Sequence, residues 1–253
     1  MKPLLIAFAP VLFAVAHGIA GAQGYPNRAI RIVLPYPPGG GTDVLARVLA
    51  QKLIENLGQQ VFVDNRGGAS GNIGMELVAK SPPDGYTVGF ALTAQFAVNP
   101  SLYAKLPYNP VKDYAPVTLL AIAPYVLLTH PSLPVKSVQD LIALAKAKPA
   151  QITVASAGNG SGAHLALELM KSMALIDMAH IPYKGAGPAL PDMIAGHVQA
   201  GFTTWLSCST HVKTGRLRAL GVTTLKRSPA IPDLPAISET LPGYDSPVWY
   251  GVV

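Results

Sequence analysis

The sequence is poor in cysteine and in charge, and both shortages exclude classes of protein. Cys208 is the only cysteine among 253 residues, so an internal disulfide and a cysteine-based metal cluster are excluded. Charged residues make up 13% of the chain, and the densest basic groups are Lys146 with Lys148 and Lys226 with Arg227. Nucleic-acid readers concentrate basic charge on one face. We therefore interpret the net charge of +6 as diffuse surface charge without a nucleic-acid partner, or alternatively as attraction for small anions.

Motifs for catalysis are missing as well. The sequence contains no H-E-x-x-H pair, no G-x-S-x-G elbow and no closely spaced histidine and acid ligands, and its six histidines are scattered. Metal-assisted and nucleophilic hydrolysis therefore have no support from the sequence, and we predict no metal site.

The first 22 residues have the pattern of a signal peptide. Met1 and Lys2 form a short basic start, an apolar run follows from Leu4 to Ala16, and Ala20-Gly21-Ala22 provides the small residues that signal peptidase requires. The apolar run is shorter than the roughly 20 residues that span a bilayer. We expect cleavage after Ala22 and export to the periplasm.

The remaining chain is globular, with 50% hydrophobic residues and many Gly and Pro residues between short apolar elements. Hydrophobic periodicity predicts alternating strands and helices. The predicted strands are 29–35, 60–64, 87–92, 126–129, 152–156, 178–181, 198–203 and 217–223, and the predicted helices are 42–57, 71–79, 138–148, 163–175 and 188–194. This alternation predicts an α/β fold of mostly parallel sheets flanked by helices. A proline-rich stretch from Leu106 to Pro116 interrupts it and is the candidate crossing between two lobes.

Ligands of such folds bind at the carboxyl ends of strands, which directs attention to three strand-to-helix loops. Loop one, residues 35–43, contains Gly39, Gly40 and Gly41, followed by Thr42 as a predicted helix cap. Its exposed backbone N–H groups would form an anion site at a helix N-terminus. It lacks the lysine of a nucleotide-binding Walker loop. A simple glycine-rich turn is the alternative interpretation.

Loop two, residues 156–164, contains Ser156, Ser161 and His164, which offer hydroxyl and backbone donors for a carboxylate. Gly158, Gly160 and Ala163 also match the dinucleotide fingerprint, but that fingerprint needs an acid at the end of the next strand, and none is present there. A helix-capping or structural histidine is the alternative for His164.

Loop three, residues 180–188, offers the charge of Lys184 and the backbone N–H groups of Gly185 and Ala186. A solvated lysine in a glycine turn, or a structural lysine that faces the hinge, is the alternative.

Motifs spread over nearly the whole chain resemble one known family. They lie at 25–26, 36–43, 63–74, 83–87, 157–161, 182–185, 215–220 and 249–251. In this order they are similar to the tripartite tricarboxylate transporter substrate-binding family, also called Bug-type periplasmic receptors. The resemblance implies a two-lobed periplasmic binding protein that closes on a small dicarboxylate, tricarboxylate, amino acid or aromatic acid. It also implies delivery to the membrane components of a tripartite tricarboxylate transporter or to a sensor, no cofactor and no enzymatic activity. We expect a monomer.

The same resemblance implies which residues bind the ligand, partly through ordered waters. They are Tyr36, Pro38, Gly39, Gly40, Thr42 and Asp43 of loop one, Ser156, Gly158, Ser161 and His164 of loop two, and Lys184, Gly185 and Ala186 of loop three. Thr93, between loops one and two, is a further contact. We expect lobe one to comprise residues 25–120 and 224–253, and lobe two residues 121–223. Members of the family continue past the motif at 249–251, whereas this sequence stops at Val253, so the resemblance implies a lobe one that is shortened at its C-terminal end.

A dinucleotide-dependent oxidoreductase that uses the loop of Gly158 is the alternative function. Export and the missing acid after that loop argue against it.

Overall fold

One mixed sheet organises the part of the chain that the structure describes. The computed structural model describes residues 24–253, and the predicted signal peptide lies outside these residues. The strands are β1 (Ile30–Leu34), β2 (Val61–Asn65), β3 (Thr87–Leu92), β4 (Thr118–Thr129), β5 (Thr153–Ser156), β6 (Ala179–Pro182), β7 (Ala200–Thr204), β8 (Arg218–Val222) and β9 (Pro247–Val252). Their order is β2-β1-β3-β9-β4-β7-β5-β6, and β8 also pairs with β4.

Seven α-helices occur within the same residues. They are α1 (Gly41–Leu57), α2 (Asn72–Ala79), α3 (Asn99–Leu102), α4 (Val138–Ala147), α5 (Gly162–Ala174), α6 (Ala186–Ile194) and α7 (Trp205–Lys213). Short 3₁₀ turns lie at Ala69–Gly71 and Ile237–Glu239, and a π-helical turn at Ala94–Val98. In residues 24–253 no helix has the length and apolar character that a bilayer crossing requires.

The first core forms around β1, β2, β3 and β9, and we call this part lobe one. Strand β1 pairs in parallel with β2 and β3, while β9 joins β3 in the antiparallel direction. Ile32 and Leu34 of β1 are fully buried, as expected for a strand covered on both faces. Helix α1 covers this core with Ala46 and Ala50 and ends at Gly58, whose left-handed backbone donates its N–H to the Ile54 carbonyl.

The second core forms around β5 to β8, and we call this part lobe two. Strand β5 pairs in parallel with β6 and β7, and β4 pairs antiparallel with β7 and β8. Helix α5 contributes Leu167 and Met170, both fully buried. Ile237 and Tyr244 also pack here, and the Tyr244 hydroxyl donates to the Ala166 carbonyl at 2.7 Å. These contacts place the return to lobe one at β9, later in the chain than the predicted boundary at residue 223.

Strand β4 connects the lobes. Residues up to Pro124 pair with β9 in lobe one, and residues from Tyr125 onward pair with β7 and β8 in lobe two. The proline-rich stretch 106–116 instead packs within lobe one, where the Tyr114 hydroxyl donates to the Met75 carbonyl at 2.8 Å. The crossing is therefore β4 and not that stretch.

The predicted α/β class is confirmed, with four corrections in detail. The sheet is mixed, because β4 and β9 run antiparallel to their neighbours. Strand β4 begins eight residues before the predicted start at Val126, and the sequence reading contained no strand at β9. It also missed α7, which follows β7 directly and starts at Trp205. Residue Thr204, at the β7–α7 junction, lies beside the cavity described next.

Candidate functional site

A cavity lies between the two lobes. Four helices begin at its wall: α1 through residues 40–42, α5 through Ser161 and Ala163, α6 through Ala186, and α7 through its N-cap residue Thr204. Tyr36, Pro37, Leu92, Tyr125, Ala157, Phe202 and Thr203 complete the lining. We call this space the main cavity. None of the described residues that line it carries a charged side chain.

Loop one brings the N-terminus of α1 to the main cavity. Gly40 is the N-cap residue in extended conformation, and no side chain of loop one caps the helix. The N–H of Gly41 donates instead to Ser207 Oγ of α7, at 2.6 Å. The prediction that Thr42 caps α1 is therefore wrong, because Thr42 lies inside the helix. Its hydroxyl is hydrogen-bonded to Tyr250, which opposes the rise that burial causes in the pKa of that tyrosine.

The carboxylate of Asp43 stabilises loop one through hydrogen bonds on the side away from the main cavity. It accepts hydrogen bonds from Arg47 at 3.1 Å, from the Asn65 amide at 3.0 Å and from the Gly39 N–H at 3.3 Å. Burial raises the pKa of Asp43, but the bonds from Arg47, Asn65 and Gly39 outweigh it and hold the pKa below its usual value. Asp43 is buried and does not line the main cavity. Its charge therefore supports the loop rather than facing a ligand.

Loop two brings the N-terminus of α5 to the opposite wall. Ser161 is the N-cap residue, and its hydroxyl accepts a hydrogen bond from the His164 N–H at 3.2 Å. The His164 ring returns toward the loop, where Nδ1 accepts from the Gly160 N–H at 3.1 Å. Gly158 has a φ of 123°, a conformation that other residues rarely adopt. Ser161 lines the main cavity, whereas His164 supports the loop from behind.

A second histidine, His180 on β6, also supports loop two. Its Nε2 lies 2.6 Å from Ser156 Oγ, which in turn accepts from the Gly158 N–H at 3.1 Å. The rings of His164 and His180 stack with centroids 4.0 Å apart. The pKa of His180 is lowered to about 4, mainly by burial and also by His164 and Lys171, while Glu168 opposes the shift. Burial also lowers the pKa of His164. Both rings are therefore neutral at pH 7.

Loop three forms a third part of the wall of the main cavity, beside loops one and two. Gly185 is the N-cap residue of α6 with a φ of 141°, and a Cβ there would lie 2.9 Å from Pro37 Cδ of loop one. Lys184 is exposed and lines a neighbouring space. We call this space the side cavity. It adjoins the main cavity at Tyr36 and Ala157, which line both.

The predicted site residues thus occupy different places. Tyr36, Gly40, Thr42, Ser161 and Ala186 line the main cavity, and Gly158, Lys184 and again Tyr36 line the side cavity. Ser156 lies behind loop two, while Pro38, Gly39, Asp43, Thr93, His164 and Gly185 line neither cavity. Thr93 directly follows β3, and its buried hydroxyl has no hydrogen-bond partner among residues 24–253.

Sequence reasoning missed the inner surface of the main cavity. Leu92, Tyr125, Phe202, Thr203 and Thr204 come from strands rather than from glycine-rich loops. Thr203 and Thr204 lie where β7 ends and α7 begins, and the end of a strand before a helix is a signal for a binding residue. Without a predicted α7, this signal was not recognised. Thr203 is buried, and its hydroxyl has no hydrogen-bond partner within the described chain.

The arrangement suits binding of an anion better than catalysis. Each helix N-terminus carries the equivalent of about half a positive charge and N–H groups without helical acceptors. In the described residues, no group of three or more histidine, cysteine, aspartate or glutamate side chains could hold a metal. Cys208 is fully buried, and burial raises its pKa to about 12, so its thiolate is suppressed.

Comparison with known proteins agrees with this geometry. The sequence model described as "Tripartite tricarboxylate transporter family receptor" matches residues 45–253. The chain belongs to this family. BugT of Bordetella pertussis is 41% identical over 249 residues, which cover 96% of this chain and 76% of BugT. A UPF0065 protein of Pseudomonas sp. strain P51 is 40% identical over 232 residues, or 91% of this chain and 69% of that protein.

Solved structures of family members have the same fold. Rpa4515 of R. palustris, solved with adipate, superimposes with a TM-score of 0.88 at 39% identity and covers 90% of this chain and 77% of its own. MatC of Rhodopseudomonas palustris, solved with bound malate, has a TM-score of 0.84 at 30% identity. The superposition covers 90% of this chain and 78% of MatC. The periplasmic binding protein BugD has a TM-score of 0.85 at 33% identity. The superposition covers 90% of this chain and 76% of BugD.

These relatives confirm the family inferred from the sequence motifs. The tripartite tricarboxylate transporter receptors are periplasmic solute-binding proteins with two lobes, and the chain is a receptor of this kind rather than an enzyme. The alternative of a dinucleotide-dependent oxidoreductase has no support among them.

Proposed function

We propose that the protein captures a small carboxylate in the main cavity and delivers it to the membrane components of a tripartite tricarboxylate transporter. A sensor is the alternative recipient. The candidate ligands are dicarboxylates, tricarboxylates, amino acids and aromatic acids.

The observation that carries this proposal is the convergence of four helix N-termini on one cavity. Helices α1, α5, α6 and α7 contain between 9 and 17 residues, and all begin at its wall. Their partial positive charges add in the space between the lobes. Since no charged side chain lines the main cavity, this field favours an anion without selecting one by an ion pair.

Two further features support a carboxylate as that anion. The N–H groups of Thr42, Gly162 and Ala163 lie in first helical turns, where the helix itself offers no acceptor, and can serve a planar anion. The relatives Rpa4515 and MatC were solved with adipate and with malate, which are both dicarboxylates. The apolar surfaces of Leu92, Tyr125 and Phe202 would contact the carbon skeleton.

A thermal-shift screen of purified protein tests the proposal. Adipate, malate, citrate, glutamate and benzoate are each compared with the corresponding neutral amide. A ligand present at 100 times its Kd adds roughly 2.7 kcal/mol to the free energy of unfolding, so one class of acid should raise the Tm by several degrees. The matched amide should not. An amide that stabilises as well as its acid, or a full set of acids without effect, would contradict carboxylate binding.

Export and delivery are proposed on the same basis. Cleavage after Ala22 would release the protein into the periplasm, and N-terminal sequencing of protein secreted by the producing cell checks this directly. Transport and sensing are separated by measuring uptake of the labelled ligand in cells with and without the gene. We expect uptake to require the gene, and unchanged uptake with an altered transcriptional response would favour the sensor. Sedimentation of the ligand-bound form checks the expected monomer.

A further inference from the structure

Helix α1 of lobe one is capped by a residue of lobe two. The Gly41 N–H donates to Ser207 Oγ at 2.6 Å, and Ser207 Oγ lies 3.2 Å from Thr204 Oγ1. No side chain of loop one caps α1, so this hydroxyl satisfies an N–H group that the helix leaves without an acceptor. Ser207 does not line the main cavity. Ser207 therefore joins the two lobes from behind the cavity wall, through its contacts with Gly41 and Thr204, which both line the main cavity.

The close approach of the lobes depends on glycine at two positions. A Cβ built on Gly41 would overlap Thr204 Oγ1 and lie 2.9 Å from Ser207 Oγ, both in lobe two. A Cβ built on Gly187 would lie 2.5 Å from the Pro38 carbonyl oxygen in lobe one. Neither glycine has a positive φ, and both lie near the start of a helix. Alanine at either position would thus conflict only with the opposite lobe.

A third contact lies on the other side of the cleft. Ser70 Oγ of lobe one donates a hydrogen bond to the Asn159 carbonyl in loop two. Gly39 and Gly40 also lie against α6, where their added Cβ atoms would be 3.9 Å from Gly187 Cα and 3.6 Å from Ala186 Cβ. The lobes therefore touch on both sides of the main cavity.

We propose that Ser207, together with the glycine contacts at Gly41 and Gly187, forms an interlobe latch that stabilises the closed conformation independently of any ligand. Ser207 acts as a positioning residue: it holds the N-terminus of α1 in the place where that helix faces the cavity. When only the closed form binds, the apparent Kd equals the intrinsic Kd divided by the closed fraction. The latch then sets affinity through the closed fraction and not through a contact of Ser207 with the ligand, whatever the ligand is.

The distance between the lobes in ligand-free protein tests the latch. Spin labels are placed on cysteines introduced at Lys52 in lobe one and Lys146 in lobe two, which are both exposed, and the distance distribution is measured by double electron–electron resonance. Cys208 stays unlabelled because it is fully buried. The ligand-free parent should show a closed separation, equal to the one between these two positions in this structure, beside a longer, open one.

The variants should lower the closed fraction by different amounts, least for the control and most for Gly187→Ala. Ser207→Ala removes one hydrogen bond and should lower the closed-to-open ratio about three- to tenfold. Gly187→Ala should remove the closed separation almost completely, while its Tm stays at or above that of the parent because alanine favours a helix. Ser209→Ala on the same helix is the control, because its hydroxyl makes no hydrogen bond in the structure, and it should match the parent.

The opposite results would overturn the latch. A ligand-free parent that shows only the open separation overturns it, and so do Ser207→Ala and Gly187→Ala variants that retain the parent distribution. If Gly187→Ala proves unstable, Ser207→Ala decides alone. Since these measurements contain no ligand, the result leaves the carboxylate proposal to be decided by the screen.

Discussion

Loop one and loop two look alike in the sequence but are stabilised in different ways. Loop two is held within its own lobe: Ser161 caps α5, the His164 ring accepts the Gly160 N–H, and His180 contacts Ser156. Loop one has a buried carboxylate behind it, and the hydroxyl that caps α1 belongs to Ser207 of lobe two. The α5 end of the site is thus formed in lobe two alone, while the α1 end is completed only by contact between the lobes.

This difference shows that similar glycine-rich loops can have different roles in a two-lobed receptor. A self-capped helix N-terminus keeps its geometry when the cleft opens, because its capping bond lies within three residues. A helix that is capped across the cleft loses that bond on opening. We therefore expect loop two to present a preformed anion site and loop one to complete the site on closure.

The largest expected effect is a loss of folding stability when the carboxylate that holds loop one is removed. Asp43→Ala should lower the free energy of unfolding by about 2 to 3 kcal/mol, because it removes the carboxylate that accepts from Arg47, from the Gly39 N–H and from the Asn65 amide, which keeps only the Tyr36 carbonyl as an acceptor. Urea unfolding measures this. Glu55→Ala, an exposed position on the same helix, is the control and should change stability by about 0.5 kcal/mol or less. An equal effect of the two substitutions would mean that Asp43 does not organise the loop.

The second effect compares the two loops as binding surfaces. Ser161→Ala should weaken binding of the best acid from the screen by roughly 10- to 100-fold, since it removes a hydroxyl donor to a charged group and the cap of α5. Thr42→Ala should weaken binding less, because the Thr42 hydroxyl is hydrogen-bonded to Tyr250. Calorimetry measures both Kd values.

Lys184→Ala is the contrast for this pair. Lys184 lines the side cavity and not the main cavity, so its loss should weaken binding by about threefold or less. A larger loss than that of Ser161→Ala would show that an ion pair, and not the helix N-termini, dominates recognition. Parent-like binding by both Thr42→Ala and Ser161→Ala would place the ligand elsewhere in the cleft.

A further effect is a pH dependence of stability that originates at His180, behind loop two. The pKa of His180 is about 4 in the folded protein, against about 6.5 in an unfolded chain. Between these values the unfolded state binds the proton and the folded state does not, so stability falls as the pH is lowered from about 6.5 toward 4. Urea unfolding at pH 7 and pH 5 should show this loss in the parent, and His180→Gln should reduce it.

His197→Gln serves as the matched control, because His197 is an exposed histidine of the same lobe. It should retain the pH dependence of the parent. An identical dependence in His180→Gln would mean that other groups cause the acid sensitivity. Loop one, which contains no histidine, should not respond over this range.

Much of the fold could be predicted from the sequence because its signals are local. Apolar residues at helical spacing placed α1 within one residue of its observed start, and the run from Thr87 to Leu92 matches β3 at both ends. Glycine-rich segments after strands located the three loops, and the ordered motifs identified the family. The same glycine-rich segments, each followed by a predicted helix, also predicted helix N-termini with free N–H groups. Such groups favour an anion as the ligand.

Tertiary structure alone decided which residues share the cavity and which serve as supports. Strand β9 lies more than 120 residues after β4 begins, and its place between β3 and β4 depends on pairing that no local pattern encodes. Asp43 and His164 are polar residues in the right loops, yet nearby N–H groups and side chains engage them away from the cavity. Ser207 caps a helix 166 positions earlier, because packing of two separately formed lobes, and not sequence proximity, brings a hydroxyl to an unsatisfied N–H.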